Sequence, residues 1–367
     1  MTPRERILSI LKGEQPDQVP WFGDLDYWAN SLIKRGLKPE GFILSKEYIN
    51  WHRELGVGFY LQGYFPYRQI INNCRIRVWN KGRRRFKEIE TPEGSVRECW
   101  EYIPTSFSEA PVEHFMKSEA DIPAMKYVYE NTLFEPDYQT ANLRKQQVGD
   151  QGVVLCYLPK SPFMHLVALE AGIMAVAMTA LTAPDEFRDL LDTMKRAFDQ
   201  AAGIAVNSPA EVLMIPENLS SEMVGPDLFE MYMYNYQKEW TARIRDAGKF
   251  SFIHIDGTLA GLLKQEAEVG FTVLEALTPH PVGDMKWEDL EPFIGDSKSI
   301  LWGGIPGSYF TDCVDDEEFD RHVKYLLDIM TRKPRFVLGV ADQVPPDALE
   351  KRARRVSELV NEYGKYR

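Results

Sequence analysis

From about residue 150 onward the chain alternates short apolar runs with longer segments of helical spacing. The runs fall at 153–157, 211–215, 250–255, 272–276, 299–303 and 335–340. Between and after them, apolar residues recur every three or four positions over 185–206, 226–247, 259–269, 315–331 and 346–362. Strand–helix alternation of this kind predicts a parallel sheet with right-handed crossovers. Two earlier runs, 19–23 and 57–61, bring the strand count to eight. Eight is the number that closes a (β/α)8 barrel, and the expectation is one barrel domain over 1–367.

The first third reads differently. Thr2-Pro3-Arg4-Glu5 carries the marks of a helix start: a capping hydroxyl, a proline in the first turn and a glutamate three residues on. Ile7, Leu8, Ile10 and Leu11 then form an apolar face, and Gly13 can end the helix. Residues 75–79, 85–89 and 95–99 alternate with period two, and Asn80-Lys81-Gly82 and Pro92-Glu93-Gly94 supply the turns. This predicts an antiparallel β-meander inserted at 74–103. The charged, proline-punctuated stretch 104–150 predicts short helices and loops.

Charge narrows the partners. The 43 basic and 55 acidic residues leave a net charge of −12, which argues against nucleic acid or an anionic membrane as the main partner. The four cysteines, at 74, 99, 156 and 313, form no C-x-x-C pair or disulfide pattern, so reduced thiols in the cytoplasm are expected. The N-terminus lacks a signal-peptide pattern, and no stretch approaches the roughly 20 apolar residues that a membrane span requires.

Three of the apolar runs end on metal-ligating side chains: Glu217 after Met214-Ile215-Pro216, His254 and Asp256 in Phe252-Ile253-His254-Ile255-Asp256-Gly257, and Asp342 after Val337-Leu338-Gly339-Val340-Ala341. Residues so distant meet only where a fold gathers strand ends at one mouth. His254 and Asp256 stand two apart and face the same way on an extended strand. An imidazole with carboxylates suits zinc or another divalent cation; a hydrogen-bonded His–Asp pair closing a strand is the plainer alternative. Glu275, inside the apolar run Val273–Leu277, is a further ligand, a partner of His254, an acid, or the mate of a neighbouring cation. His280, on the following loop, is an acid, a substrate contact or a solvated side chain. Trp21, Phe22, Tyr27, Trp28, Tyr60, Tyr64 and Trp302 lie near strand ends and offer a pocket for a flat ring. In a chain with 12% aromatic residues, core is the default for any one of them. Gly303-Gly304-Ile305-Pro306-Gly307 lacks P-loop spacing and reads as a tight barrel loop. Arg83-Arg84-Arg85 and the basic run 351–355 read as solvated faces.

The opening Thr2-Pro3-Arg4-Glu5-Arg6 with Lys12-Gly13-Glu14-Gln15-Pro16-Asp17-Gln18-Val19-Pro20 resembles the start of the uroporphyrinogen decarboxylase-like superfamily. His254-x-Asp256-Gly257, Gly303-Gly304-Ile305 and Gly339-Val340-Ala341-Asp342-Gln343-Val344-Pro345-Pro346 resemble it too. The resemblance implies a (β/α)8 barrel, in agreement with the strand count. The decarboxylase branch carries an arginine-rich early loop for substrate carboxylates, whereas here Pro20 is followed by Trp21-Phe22-Gly23-Asp24-Leu25-Asp26. The other branch holds zinc methyltransferases that work with corrinoid proteins. Its thiol-methylating members bind zinc through His-x-Cys and a late Cys; here His254 matches, and Asp256 and Asp342 stand in the cysteine places. Carboxylates leave a cation more Lewis acidic than thiolates do, which suits withdrawal of electron density from an ether oxygen. The chain therefore resembles the methyltransferase component of an anaerobic O-demethylase. Such a protein moves a methyl group from an aryl methyl ether to cob(I)alamin on a corrinoid partner. The resemblance implies His254, Asp256 and Asp342 as ligands of zinc or another divalent cation, and the strand-end reading adds Glu217 to the set. The reading of the residues adds Glu275 beside them as a partner or substitute ligand, His280 as proton donor, and Tyr27, Trp28 and Trp302 around the substrate ring. A metal-free decarboxylase and a non-catalytic corrinoid-protein binding module are the alternatives.

Overall fold

The computed structural model describes residues 1–60 and 63–367. Seven parallel strands form the barrel wall: β1 (Trp21–Phe22), β2 (Leu155–Tyr157), β3 (Val212–Leu219), β4 (Phe250–Ile255), β5 (Val273–Leu277), β6 (Ile300–Pro306) and β7 (Phe336–Ala341). They are hydrogen-bonded in the order β1-β7-β6-β5-β4-β3-β2. The segment around Gly58 and Phe59 joins the two ends. Gly58 pairs in parallel with Phe22, and Phe59 pairs in parallel with Gly152. The amide of Phe59 donates to the Gln151 carbonyl at 3.0 Å, and that of Val153 to the Phe59 carbonyl at 3.0 Å. The closure is tight enough to demand glycine: a Cβ at Gly58 would meet the Phe22 ring at 2.4 Å, and one at Gly152 the Phe59 carbonyl oxygen at 1.8 Å. The fold is thus a (β/α)8-type barrel with inserted β-structure. Of the expected strand 57–61, Leu61 lies outside the described residues.

The strands are apolar throughout because both their faces are buried. Phe22, Leu155, Val212, Met214, Phe252, Val273, Ile300, Trp302 and Val337 fill the interior. Leu213, Ile215, Ile253, Ile255, Leu274, Leu301, Leu338 and Val340 face the helices. The helix Pro3–Leu11 forms as its sequence requires, with Thr2 and Glu5 making a capping box. Its Ile7, Ile10 and Leu11 join the interior cluster and plug the end opposite the strand C-termini.

The inserted meander is larger than 74–103. Its strands Arg75–Lys81, Arg84–Thr91 and Gly94–Ile103 are followed by a fourth, Ser108–Glu113. That strand was not expected, since it carries Pro111 and two glutamates; as an outer strand it tolerates the missing amide. A two-stranded ribbon, Tyr67–Ile71 with Thr132–Pro136, brackets the insertion, so 104–150 holds two strands besides its short helices. The insertion leaves the barrel after the strand at Gly58, on the side of the strand C-termini.

His52, on the helix Lys46–Leu55, is buried between the rings of Tyr48 and Phe59, at 4.8 and 5.3 Å. Burial pushes its pKa from 6.5 down to about 3. The unfolded chain therefore takes a proton at this ring below pH 6.5 while the folded chain does not, and stability falls as pH falls. Between pH 6.5 and 5 this group alone removes about 2 kcal/mol. Urea denaturation at the two pH values should show His52→Leu losing correspondingly less stability than the wild type. An equal loss in both proteins would contradict the buried neutral ring.

Candidate metal centre

The interior parity of each strand sets the site. Phe252 points into the barrel, so His254, two residues on, does too. Val273 likewise sets Glu275, and the β4–β5 register places His254 directly beside Glu275. His254 Nδ1 lies 2.7 Å from Glu275 Oε2, while the Tyr60 hydroxyl donates to Glu275 Oε1 at 2.7 Å. Both carboxylate oxygens are thereby engaged, and Nδ1 carries the proton that points at them. Nε2 is left facing the mouth.

Alternation alone would turn Asp342 away from the interior, because Val337 sets the odd positions of β7 inward. The backbone of Asp342 adopts φ +66°, a left-handed conformation that aspartate tolerates, and this brings its carboxylate back over the mouth. Its Oδ1 lies 3.5 Å from His254 Nε2. Asp256, one residue past β4, completes the group, and one ligand atom from each of His254, Asp256 and Asp342 lies within 4.8 Å of the others. Tetrahedral nitrogen and oxygen ligands of zinc stand about 3.3 Å apart, from bond lengths near 2.0–2.1 Å. The Asp342 side chain is 45% exposed, so the group opens to solvent on the side where a substrate would enter.

Electrostatics favour a cation here. Burial by itself would lower the His254 pKa, but the charges of Glu275 and Asp342 and their hydrogen bonds outweigh it and raise it to about 10. Asp256 is pushed above the usual carboxylate range by burial and by Asp342. Asp24, 3% exposed, is pushed well above it by burial, then by Asp26, and also by Asp342 and Glu275. The mouth holds more negative groups than it can keep charged, and a divalent cation bound through Nε2 and the two aspartates would relieve that surplus. The donor set of one imidazole and two carboxylates fits zinc or a similar ion.

Other expected residues stand elsewhere. Glu217 does not join the group. Val212 and Met214 set the even positions of β3 inward, so Glu217 faces the helices with Leu213 and Ile215. It is fully buried there, accepting the Ser161 amide at 3.0 and 3.2 Å and the Gln237 side chain at 3.4 Å. Gln237 Nε2 also reaches the buried Glu266 at 3.4 Å. Trp302 is 0% exposed and packs among Phe22, Tyr60 and Phe252; it is the floor beneath the site and lines no open pocket. Trp28 is buried against Trp51 between helix and barrel, at 4.7 Å between rings. Tyr27 donates its hydroxyl to the Ser106 carbonyl and ties the meander to the barrel. His280 is exposed on its loop, where its amide donates to the Met285 carbonyl.

Three residues escaped the sequence reading. Asp24 follows the run 19–23 in the same way that Asp342 follows β7, so its signal was present. Tyr60 was visible only as a ring; its hydroxyl matters through Glu275. Tyr157, at the end of β2, has its phenol held well above the ordinary range by burial and then by the charges of Asp24, Asp26 and Glu275.

A barrel of this topology with an imidazole–carboxylate cluster at the strand C-termini is the build of an enzyme family. The family model described as uroporphyrinogen decarboxylase (URO-D) matches residues 108–363, and the chain belongs to that family. Among solved structures it is similar to a methyltransferase from Methanosarcina mazei, at 15% identity over 99% of both chains, with a TM-score of 0.62. At that identity the likeness establishes the shared fold. No curated protein matches the chain. Among the described residues, no helix is long and apolar enough to cross a membrane.

The geometry ranks the side chains by their effect on a bound cation. In metal-buffered titrations His254→Ala and Asp256→Asn should each lower zinc affinity by roughly a hundredfold or more. Glu275→Gln, which touches only the far side of His254, should lower it about 10–100-fold. Wild-type affinity in Asp256→Asn would contradict the cluster, and so would a loss in Glu217→Gln as large as that in His254→Ala.

Proposed function

We propose that the protein is a metal-dependent methyltransferase that moves a methyl group from an aryl methyl ether to cob(I)alamin carried by a corrinoid protein. The observation that carries this reading is the grouping of His254, Asp256 and Asp342 at the barrel mouth. A divalent cation held there supplies Lewis acidity to the ether oxygen. The residues do the rest. Glu275, gripped by Tyr60, orients the imidazole and fixes which nitrogen faces the mouth. The carboxylates of Asp256 and Asp342 neutralise the cation while leaving it a harder acid than thiolates would. The methyl–oxygen bond breaks, the bonding pair stays on the phenolate oxygen, and the methyl carbon goes in line to its acceptor. Asp24, whose carboxyl is pushed well above the usual carboxylate range by burial and then by Asp26, is the proton source we assign to the departing oxygen in place of the exposed His280. The corrinoid partner docks over the open side of the mouth.

The family match favours a second reading, decarboxylation. A polycarboxylate substrate would meet Asp256 and Asp342 at the mouth, and like charge disfavours its binding. Methyl transfer from an uncharged ether oxygen is compatible with the same residues. It is also the reading that gives the cluster a chemical task, where a binding module would need none.

The deciding assay supplies zinc-loaded protein with methoxylated phenols or benzoates and cob(I)alamin, and follows release of the demethylated phenol. Turnover is expected, and His254→Ala should lower it by roughly a thousandfold or more, the scale of a lost metal contribution. Equal turnover in wild type and His254→Ala would contradict the mechanism. Carbon dioxide release from an aromatic or porphyrinogen acid without demethylation would favour the second reading.

A further inference from the structure

The long helix that follows β2 is Pro184–Val206, yet an extra helix, Gly172–Thr182, is inserted before it, in the connection that leaves the C-terminal end of the strand. From Ala171 to Pro184 no side chain carries a charge. Val176 and Thr179 turn inward and are buried. Met174, Ala177, Met178 and Leu181 are exposed, and their spacing of three and four residues puts them on one outward face. Met174 is 73% exposed, Met178 54% and Leu181 78%. Among the described residues Leu181 and Met174 are the two most exposed large apolar side chains. A helix without a charged face belongs in an interior, and this one is covered on one side only.

The charges at its two ends select the partner. At the C-terminal end Glu119 accepts the Thr182 hydroxyl at 3.5 Å, and Asp185 and Glu186 follow as exposed acids. At the N-terminal end stand two histidines. His114 Nδ1 lies 2.9 Å from the Leu169 carbonyl, and His165 Nε2 lies 3.5 Å from Glu170. Glu170, the acid at that end, also accepts the Tyr129 hydroxyl at 2.7 Å. A lipid surface is disfavoured, because helices that lie on membranes border their apolar face with lysine or arginine, and acids border this one. A second copy of the chain fits. Two such helices meeting antiparallel set the acidic end of each beside the histidine end of the other, with no charge between. In a chain of net charge −12, a face that two copies can share without opposing acids is a specific provision for self-association.

We propose that the helix Gly172–Thr182 is a dimerisation surface whose occupant is the same helix of a second copy, crossed antiparallel about a two-fold axis. The surface is self-complementary when that axis passes between Ala177 and Met178. Met174 then lies opposite Leu181, and the Met178 side chain enters the space that the small Ala177 leaves. Unbranched methionine suits such a contact, since it adapts to the gap offered. The 11 residues of the helix span only about 16 Å. Its face therefore buries less than the roughly 800 Å² per partner of a standard interface. The pairing is accordingly reversible, with a dissociation constant on the order of micromolar to tens of micromolar. It stands whether or not the protein transfers methyl groups.

Sedimentation velocity on the full chain, from about 1 to 300 µM, tests the proposal. The wild type should pass from monomer to dimer across that range. Met178→Glu and Met178→Lys should each raise the dissociation constant at least about tenfold, because the two-fold axis sets like charges together at its centre. An equimolar mixture of the two variants should recover dimers, since opposite charges then meet across the axis. That recovery also shows both variants to be folded, and it is specific to self-pairing. A wild type that stays monomeric throughout overturns the proposal. So does dimerisation of either variant alone at wild-type strength, or a mixture that associates no better than its components. Binding of the wild type to neutral phosphatidylcholine vesicles that both variants lose, without dimerisation, would assign the face to lipid and overturn it as well.

Discussion

Crowded negative charge around a single imidazole is the constraint on which the site depends. His254 and Glu275 stand side by side because β4 and β5 pair in register, and Asp342 meets them because its backbone turns left-handed at the end of β7. Asp24 and Asp256 add further carboxyls that burial makes costly to ionise. Bare, such a centre balances itself by protonation. A divalent cation would balance it by coordination, and the charges of Glu275 and Asp342 that raise the His254 pKa against burial are the ones it would meet.

The fold makes this arrangement rigid. The interior beneath the cluster is packed with Phe22, Phe252 and Trp302, and the N-terminal helix stops the opposite end. Tyr60 spans the boundary between that packing and the site: its ring tilts against Trp302 at 4.4 Å while its hydroxyl grips Glu275. The orientation of the imidazole is thus set by the core through two contacts, and the loops above are left free to carry specificity.

The barrel was legible because eight apolar runs alternate with helical spacing, a pattern that few architectures share. Within the site, His254, Asp256 and Glu275 were legible because they interrupt or end apolar strands. Glu217 was misplaced for a physical reason: strands buried on both faces are apolar at every position, so Val212 to Ile215 give no sign of which parity faces inward. Asp342 was legible as a carboxylate that follows an apolar run, though the positive φ by which it reaches the mouth overrides alternation and leaves no mark in the sequence. Trp28 and Trp302 were near the right strand ends, yet a large ring fills core as readily as it lines a pocket. The fourth strand of the meander was hidden by its proline and charges, which an outer strand accepts.

The most direct test of the account is X-ray absorption at the zinc edge on zinc-loaded protein. One bound ion should appear with nitrogen and oxygen neighbours only, at about 2.0–2.2 Å, including one imidazole whose signature disappears in His254→Ala. Sulfur neighbours near 2.3 Å, or an imidazole signal that persists in that variant, would contradict it.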